Sequence, residues 1–434
     1  MVTACGFITD YRGRVEVSGA ISSFIDLSDE EGDADDLQSP AERHSPGEAQ
    51  NIKIKRLLAE RSAFLLMDEP GSHLDIRAKT RLAESLKNRY TGFILVSHDR
   101  DFIDRACTKI IELTDGGMEI FNGDYSFYLE ERTKRRKFAQ REYESYIAEK
   151  KRLTAVARDV KVQSQKVKRT PSRMGNSEAR LHKMGGQTNK KKLDKQAKAV
   201  ASRIERLEVK AKPKEETPIE LTVSERDKIF SEILIRSEDL NKRFGGKVIF
   251  DHAETEIPNR RKTALLGDNG SGKTTLIQMI LAGELQTHPR LKIGYYSQLG
   301  EILDPEKSIL DNILATSIYD RTLSRITLAR LGFRGDDVFK RTSLLSAGEK
   351  AKVKLAKLIT SDFNFLILDE PTNYLDIRAL EALEELLKGY DRPLLFVTHD
   401  VAFIRNIADH FLLIEDHRIS AFSEPPERYF TAPR

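Results

Sequence analysis

The sequence predicts an α/β fold made of two copies of one unit, joined by a basic pair of antiparallel helices. Three observations carry this. First, GDNGSGKT at Gly267–Thr274 matches the phosphate-binding pattern G-x-x-x-x-G-K-S/T, between an apolar run (Thr263–Leu266) and a helical pattern (Thr275–Leu281). Second, SPGEAQNIKIKRLLAERSAFLLMDEPGSHLDIRAK followed by FILVSHDRDFI returns as SAGEKAKVKLAKLITSDFNFLILDEPTNYLDIRAL followed by LLFVTHDVAFI. Glu48 thereby matches Glu349, Asp68 matches Asp369, Asp75 matches Asp376 and His98 matches His399, each at an offset of 301. Third, residues 131–210 hold 25 Lys and Arg against 9 Asp and Glu, in a chain whose net charge is only +4.

Composition narrows the class. At 434 residues, 39% hydrophobic and 32% charged, the chain is long enough for two or three globular domains. No apolar run approaches the roughly 18 residues needed to span a bilayer, and the N-terminal MVTACGFITDYRGR has no basic segment leading into an apolar signal core. A cytoplasmic protein is expected. Cys5 and Cys107 form neither a disulfide framework nor a metal-ligand cluster and read as ordinary thiols. The basic block suits a polyanionic partner, nucleic acid being the commonest, over a merely solvated charged helix.

In chain order, the first copy begins with a defect. Carried back by 301, the phosphate-loop lysine falls before Met1; aligning Val17–Leu27 with Arg290–Gly300 instead puts it near position 1. Under either alignment the first copy lacks its phosphate loop, so the chain is a fragment or its first copy is degenerate, and the sequence favours the former. Residues 28–44 are acidic and Pro-containing and read as a loop. Residues 45–60 read as helix, Phe64–Glu69 as an apolar strand ending in two carboxylates, Ile76–Arg89 as helix and Phe93–Ser97 as a buried strand before His98-Asp99. This alternation indicates a mostly parallel sheet covered on both faces.

From Tyr125 the pattern changes. Tyr146, Leu153 and Val160 recur every seven residues with Val156 between, and Leu193, Ala197, Val200, Ile204 and Leu207 follow at spacings of four and three. These read as the seam of a two-helix coiled coil. Pro171, Gly175, Gly185 and Gly186 are expected to break the helices into a basic tip, and AKPKEETP returns the chain to the second unit near Ile233.

The second copy holds the chemistry. Glycines let the loop backbone, Gly267, Asp268, Asn269, Gly270, Ser271 and Gly272, wrap phosphates; Lys273 reaches the β- and γ-phosphates, and Thr274, followed by Thr275, can ligate Mg²⁺. Phe244 just upstream could stack on a base or simply pack in the core. FLILDEP at Phe365–Pro371 delivers Asp369, to hold the metal, and Glu370, to orient and deprotonate water. His399 ends the next apolar run, where it could contact the γ-phosphate and the attacking water. Gln298 is the polar group closing KIGYYSQ, 304–337 reads as helical, and LLSAGE at Leu344–Glu349 opens another helix.

Taken together, GDNGSGKT, Gln298, LSAGE, LDEP and His399 resemble the ATP-binding cassette superfamily. Two cassettes without membrane segments, the form DEPTNYLD and the basic linker with PSRMGNSEARLHK (Pro171–Lys183) narrow the resemblance to the ABC-F class, near its antibiotic-resistance members. The resemblance implies a partial first cassette at 1–124, a linker at 125–220 and a complete second cassette at 233–434. It further implies ATP and Mg²⁺ as ligands, and Gln298 joins Glu370 and His399 as catalytic and Thr274 and Asp369 at the metal. Cassettes of this class pair head to tail, so the second phosphate loop would face Ser45, Gly47 and Glu48 of the first signature. Ser346, Gly348 and Glu349 of the second signature, with Asp68, Glu69 and His98, would face no phosphate loop.

Family members bind the ribosome, so rRNA and P-site tRNA are the expected partners of linker 131–210, and ATP hydrolysis the expected reaction in a chain that is monomeric. Pro46, Gly71-Ser72 and Tyr374 depart from the family pattern. Two other readings fit the same cassettes: the ATPase subunit of a membrane transporter, and an inactive remnant.

Overall fold

The computed structural model describes residues 52–56, 58, 64–72, 74–88, 92–113, 117–166, 189–210, 229–297 and 300–431, and the backbone alone at 21–24, 114 and 176–188. The chain divides into two units, 1–125 with 218–434, and 126–217.

Among the described residues the first unit has fourteen strands: β1 (Ile21–Phe24), β2 (Phe64–Asp68), β3 (Gly92–Val96), β4 (Ile110–Thr114), β5 (Gly117–Phe121), β6 (Ile233–Phe244), β7 (Lys247–Pro258), β8 (Lys262–Leu266), β9 (Gln286–Thr287), β10 (Ile293–Tyr296), β11 (Phe365–Asp369), β12 (Leu394–Val397), β13 (His410–Glu415) and β14 (Arg418–Phe422). The main sheet runs β10-β11-β12-β8-β13-β14, parallel except for the β13–β14 pair. β8, β11, β12 and β13 are short, largely continuous apolar runs, as burial on both faces demands, whereas the edge strand β14 is mostly exposed. Successive residues alternate between two cores. Leu366, Leu368, Leu394 and Phe396 join one, with helices Ala347–Thr360 and Ile377–Lys388; Phe365, Ile367, Leu395 and Val397 join the other, with helix Lys273–Leu281.

In the first copy the sheet is β1-β2-β3, also parallel. Ile21 pairs with Phe64 as Ile293 pairs with Phe365, so β1 occupies the place of β10, one residue away from the sequence alignment. The expected buried strand before His98 is only half-covered: Ile94 and Val96 of β3 are 45% and 43% exposed. The reason is pairing. Among the described residues β3 has one strand neighbour, whereas β12 lies between β11 and β8.

The aspartates repeated between the copies have a local task. Asp75 and Asp376 cap helices Ile76–Lys87 and Ile377–Lys388, accepting from Ala78 N and Ala379 N, and Asp99 and Asp400 cap the next helix in each copy. Between 304 and 337 the single helical pattern resolves into helices Ile309–Leu314 and Arg321–Arg330, the first turn of a 3₁₀ helix opening at Gly335. Ser308 and Asp320, each accepting a backbone N–H three residues on, restart the helix where periodicity alone suggested continuity.

Among its described residues the second unit forms two helices, within Tyr125–Lys166 and at Asn176–Glu205. They run antiparallel: Ser164 Oγ donates to Asp194 Oδ1 at 2.7 Å, and Arg203 pairs with Glu149 at 3.5 Å. Leu153 is buried and Tyr146, Val160, Leu193, Ala197, Val200, Ile204 and Leu207 are half-buried, while Val156 lies off this stripe, exposed. Gly185 and Gly186 do not break the second helix. Each glycine costs about 1 kcal/mol in a helix interior, too little to stop a helix of this length. Pro171 and Gly175 lie outside the described residues.

Candidate functional site

The C-terminal ends of β8, β11 and β12 converge, and each delivers part of the site. After β8 the loop turns through Gly267, Gly270 and Gly272 at φ +152°, +77° and +113°. Gly272 then begins helix Lys273–Leu281. A Cβ there would lie 2.6 Å from Ile249 Cγ2, so the position needs glycine for space as well as for φ. Gly272→Ala should therefore destabilise the chain by about 1–3 kcal/mol and weaken nucleotide binding. A melting curve paired with a fluorescent-ATP titration tests this, and an unchanged melting point would refute it.

Lys273 is buried and donates from Nζ to Gly267 O (2.7 Å) and Asp268 O (3.0 Å). Burial lowers the pKa of its ammonium, against the charges of Glu370, Asp75, Asp268 and Asp369. Ser271 Oγ is buried with no hydrogen-bond partner among the described residues. Thr274 is exposed and Thr275 half-buried at the helix start. Anion-favouring helix N–H groups, a glycine cradle, a buried cation and an orphaned hydroxyl fit a polyphosphate.

Asp369 closes β11 and accepts from Tyr295 Oη at 3.3 Å; burial raises its carboxyl pKa. Glu370 follows in a left-handed conformation, φ +51°, its N–H donating to Val397 O at 2.9 Å. Such a backbone is strained for a non-glycine residue and recurs where function holds it. Burial pushes the Glu370 carboxyl up to about 7, against the opposing pull of Lys273 and Lys79. His399 Nε2, from the end of β12, lies 3.5 Å from Glu370 Oε1. A carboxylate raised to neutrality beside an imidazole and below a phosphate loop can accept a proton from water.

The first copy repeats half of this. Glu69 has φ +42°, donates its N–H to Val96 O at 2.9 Å, is pushed up to about 7 by burial and stands 3.7 Å from His98 Nε2. Burial lowers the His98 imidazole pKa. Ser346 and Glu349 form a reciprocal capping box at the start of helix Ala347–Thr360, and a Cβ on Gly348 would meet Tyr374 O at 2.7 Å. Phe244 ends β6 and is 58% exposed beside the turn to β7. Gln298, Ser45, Gly47 and Glu48 lie outside the described residues.

Three residues at this site were not singled out from the sequence. Arg77, from the first copy, donates to Asp268 Oδ2 (3.0 Å) and Glu415 Oε1 (2.9 Å) and lies 5.2 Å over the Tyr429 ring. Tyr429 Oη in turn accepts from Gly267 N at 3.2 Å, so Arg77 braces the loop directly and through Tyr429. Lys79 reaches the His399 backbone. The recurrence of Arg77 as Arg378 and the mismatch of Lys79 with Leu380 were the available signals.

Comparison with known proteins agrees with this geometry. Residues 250–373 match the sequence family described as ABC transporter. The chain is similar to the ribosome protection protein VmlR of Bacillus subtilis, 33% identical over 390 residues, covering 86% of this chain and 69% of VmlR. It is also similar to the erythromycin resistance ATP-binding protein MsrA of Staphylococcus epidermidis, 32% identical over 423 residues and covering 92% of this chain and 85% of MsrA. In fold it resembles the archaeal ribosome recycling factor aABCE1 solved in complex with the ribosomal stalk protein aP1, at TM-score 0.56 and 20% identity over 87% of this chain and 63% of that one. The chain belongs to the ABC-F class of ATP-binding cassette proteins.

Proposed function

We propose that this chain hydrolyses ATP and acts on the ribosome, protecting it from antibiotics that bind the large subunit. In this reading residues 1–124 belong to the first cassette, 125–220 to the linker and 233–434 to the second cassette. The observation that carries the ribosomal reading is the linker's charge, 25 Lys and Arg against 9 Asp and Glu over 131–210, on a two-helix hairpin. It is supported by relatives named for ribosome protection and erythromycin resistance. Phosphate contacts from Lys166, Lys168, Arg169, Arg173 and Arg180 would give salt-sensitive affinity for rRNA, with RNA shape supplying specificity. A cytoplasmic location is part of the same proposal; among the described residues no helix is long and apolar enough to cross a membrane.

The ATP half of the reading rests on the second cassette. Gly267–Thr275 hold the triphosphate and Phe244 the base. Thr274, Asp369 and Gln298 would hold Mg²⁺, which neutralises phosphate charge when bound. Glu370 accepts the proton of the attacking water, and His399 keeps that carboxylate oriented. Ser45, Gly47 and Glu48 complete one competent composite site, while Ser346, Gly348 and Glu349 are the corresponding signature of the other.

Co-sedimentation of the Glu370→Gln chain with ribosomes, with and without ATP, tests the proposal. We expect ATP-dependent pelleting that weakens as salt is raised. A chain that stays in the supernatant with ATP present would refute the ribosomal reading.

A further inference from the structure

Lys79 belongs to helix Ile76–Lys87 of the first copy, but its ammonium lies at the histidine loop of the second. Nζ is 2.5 Å from Asp99 Oδ2 and donates to the backbone carbonyl of His399 at 3.3 Å. The two side chains of the ion pair are 15% and 11% exposed. Burial is the largest single influence and works against the Lys79 charge, but Asp99, Asp400 and Glu370 together outweigh it and the ammonium pKa is raised. Asp99 is itself fixed, accepting from Phe102 N at 3.1 Å and donating its own N–H to Ser97 Oγ at 3.1 Å. Ser97 Oγ donates to Glu69 Oε2 at 3.3 Å, and beyond His399 lies Glu370 at 3.5 Å. A continuous polar chain thus runs from the strand-end glutamate of one copy to that of the other, and Lys79 is the link that crosses.

The repeat shows what the fold alone asks of this position. At the same offset the second copy has Leu380, 2% exposed in its core. A leucine satisfies the helix there, whereas a buried lysine carries a desolvation cost that only fixed partners offset. One of those partners is supplied by the other copy. Lysine also suits the task chemically, since its three donors can serve Asp99 and the His399 carbonyl together.

We propose that Lys79 is a positioning residue for hydrolysis at the second cassette: supplied in trans by the first, it holds the His399 loop against Glu370 while the two are closed together. The inference rests on the reading of Glu370 and His399 as the hydrolytic pair. Holding the peptide of His399 fixes where its imidazole meets Glu370, and a displacement near 1 Å at such a pair costs up to about 100-fold in rate.

Phosphate release by the purified chain tests this in four variants. Lys79→Leu should lower kcat about tenfold or more with KM for ATP within about twofold, and Lys79→Arg should retain at least about a third of wild-type kcat. Because Lys79→Leu strands Asp99, the double variant Lys79→Leu/Asp99→Asn removes that charge; it should recover the melting temperature but not kcat. A Lys79→Leu kcat within about twofold of wild type overturns the proposal, and so does recovery of kcat together with stability in the double variant. Glu370→Gln separates the two levels. If it abolishes turnover while Lys79→Leu does not, the Lys79 assignment alone falls. If it leaves turnover intact, or the wild-type chain shows none, the reading of the hydrolytic pair falls and the inference with it.

Discussion

Glu370→Gln should lower steady-state phosphate release by about 100-fold or more while nucleotide binding persists, the scale of losing a positioned general base. Glutamine keeps the shape that lies against His399, 3.5 Å away in the native chain, and the left-handed backbone that the N–H bond to Val397 O supports. What it loses is proton acceptance. The pH profile gives a second readout of the same group. Burial pushes the carboxyl up to about 7, so below that value the base is protonated and idle. Activity as kcat/KM should rise with pH through about 7 and level off above it, since this parameter reports the free enzyme. The residual rate of the Gln variant should lack that rise. Turnover within tenfold of wild type, or an unchanged profile, would move the base elsewhere.

Much of this site was legible because it is local. A phosphate loop is eight contiguous residues whose strand and helix flanks are equally local, and the strand-end pair Asp369-Glu370 is announced by the apolar run before it. The repeat doubled the signal at Asp75 and Asp376, and the structure adds that these aspartates cap helices. What sequence could not supply is partnership across the cassette interface. Arg77, Lys79 and Arg100 look like ordinary helical charges, and their partners Asp268, His399 and Glu384 lie 191, 320 and 284 residues away. No periodicity encodes such separations. The repeat gave only faint marks: Arg77 recurs as Arg378, and Lys79 and Arg100 are charges where the other copy has Leu380 and Val401. The half-covered faces of Ile94 and Val96 were hidden for a related reason: an apolar run states what a strand could bury, while its neighbours decide what it does bury.

Arg100→Leu should be the most destabilising of the interface substitutions, at roughly 3–5 kcal/mol, because it strands two buried carboxylates. Arg100, Glu384 and Asp400 are 6%, 5% and 5% exposed. The guanidinium Nη2 pairs with Glu384 and, at 3.3 Å, with Asp400. Asn406 also donates to Glu384 (2.9 Å), and Phe403 N donates to Asp400 (2.8 Å), but neither brings a charge. Burial already pushes the Asp400 carboxyl up to about 6, with Arg100 holding it back. Without Arg100 the folded-state value rises further above the ordinary 3.8. A carboxyl whose folded pKa is raised binds its proton more tightly folded than unfolded, so the penalty vanishes below the unfolded value and is complete above the folded one. The variant's deficit should therefore grow from mildly acidic to neutral pH. Since Arg100 Nε has no partner among the described residues, the native triad is imperfectly satisfied, and Arg100→Leu/Glu384→Leu/Asp400→Asn should regain most of the loss. Because the pair joins helix Arg100–Ala106 to the second cassette, hydrogen exchange in Arg100→Leu should rise in that helix and not in Ala347–Thr360. Uniform deprotection of both helices would mean the triad stabilises the whole unit; an unchanged denaturation midpoint would mean the carboxylates find water or protons at negligible cost.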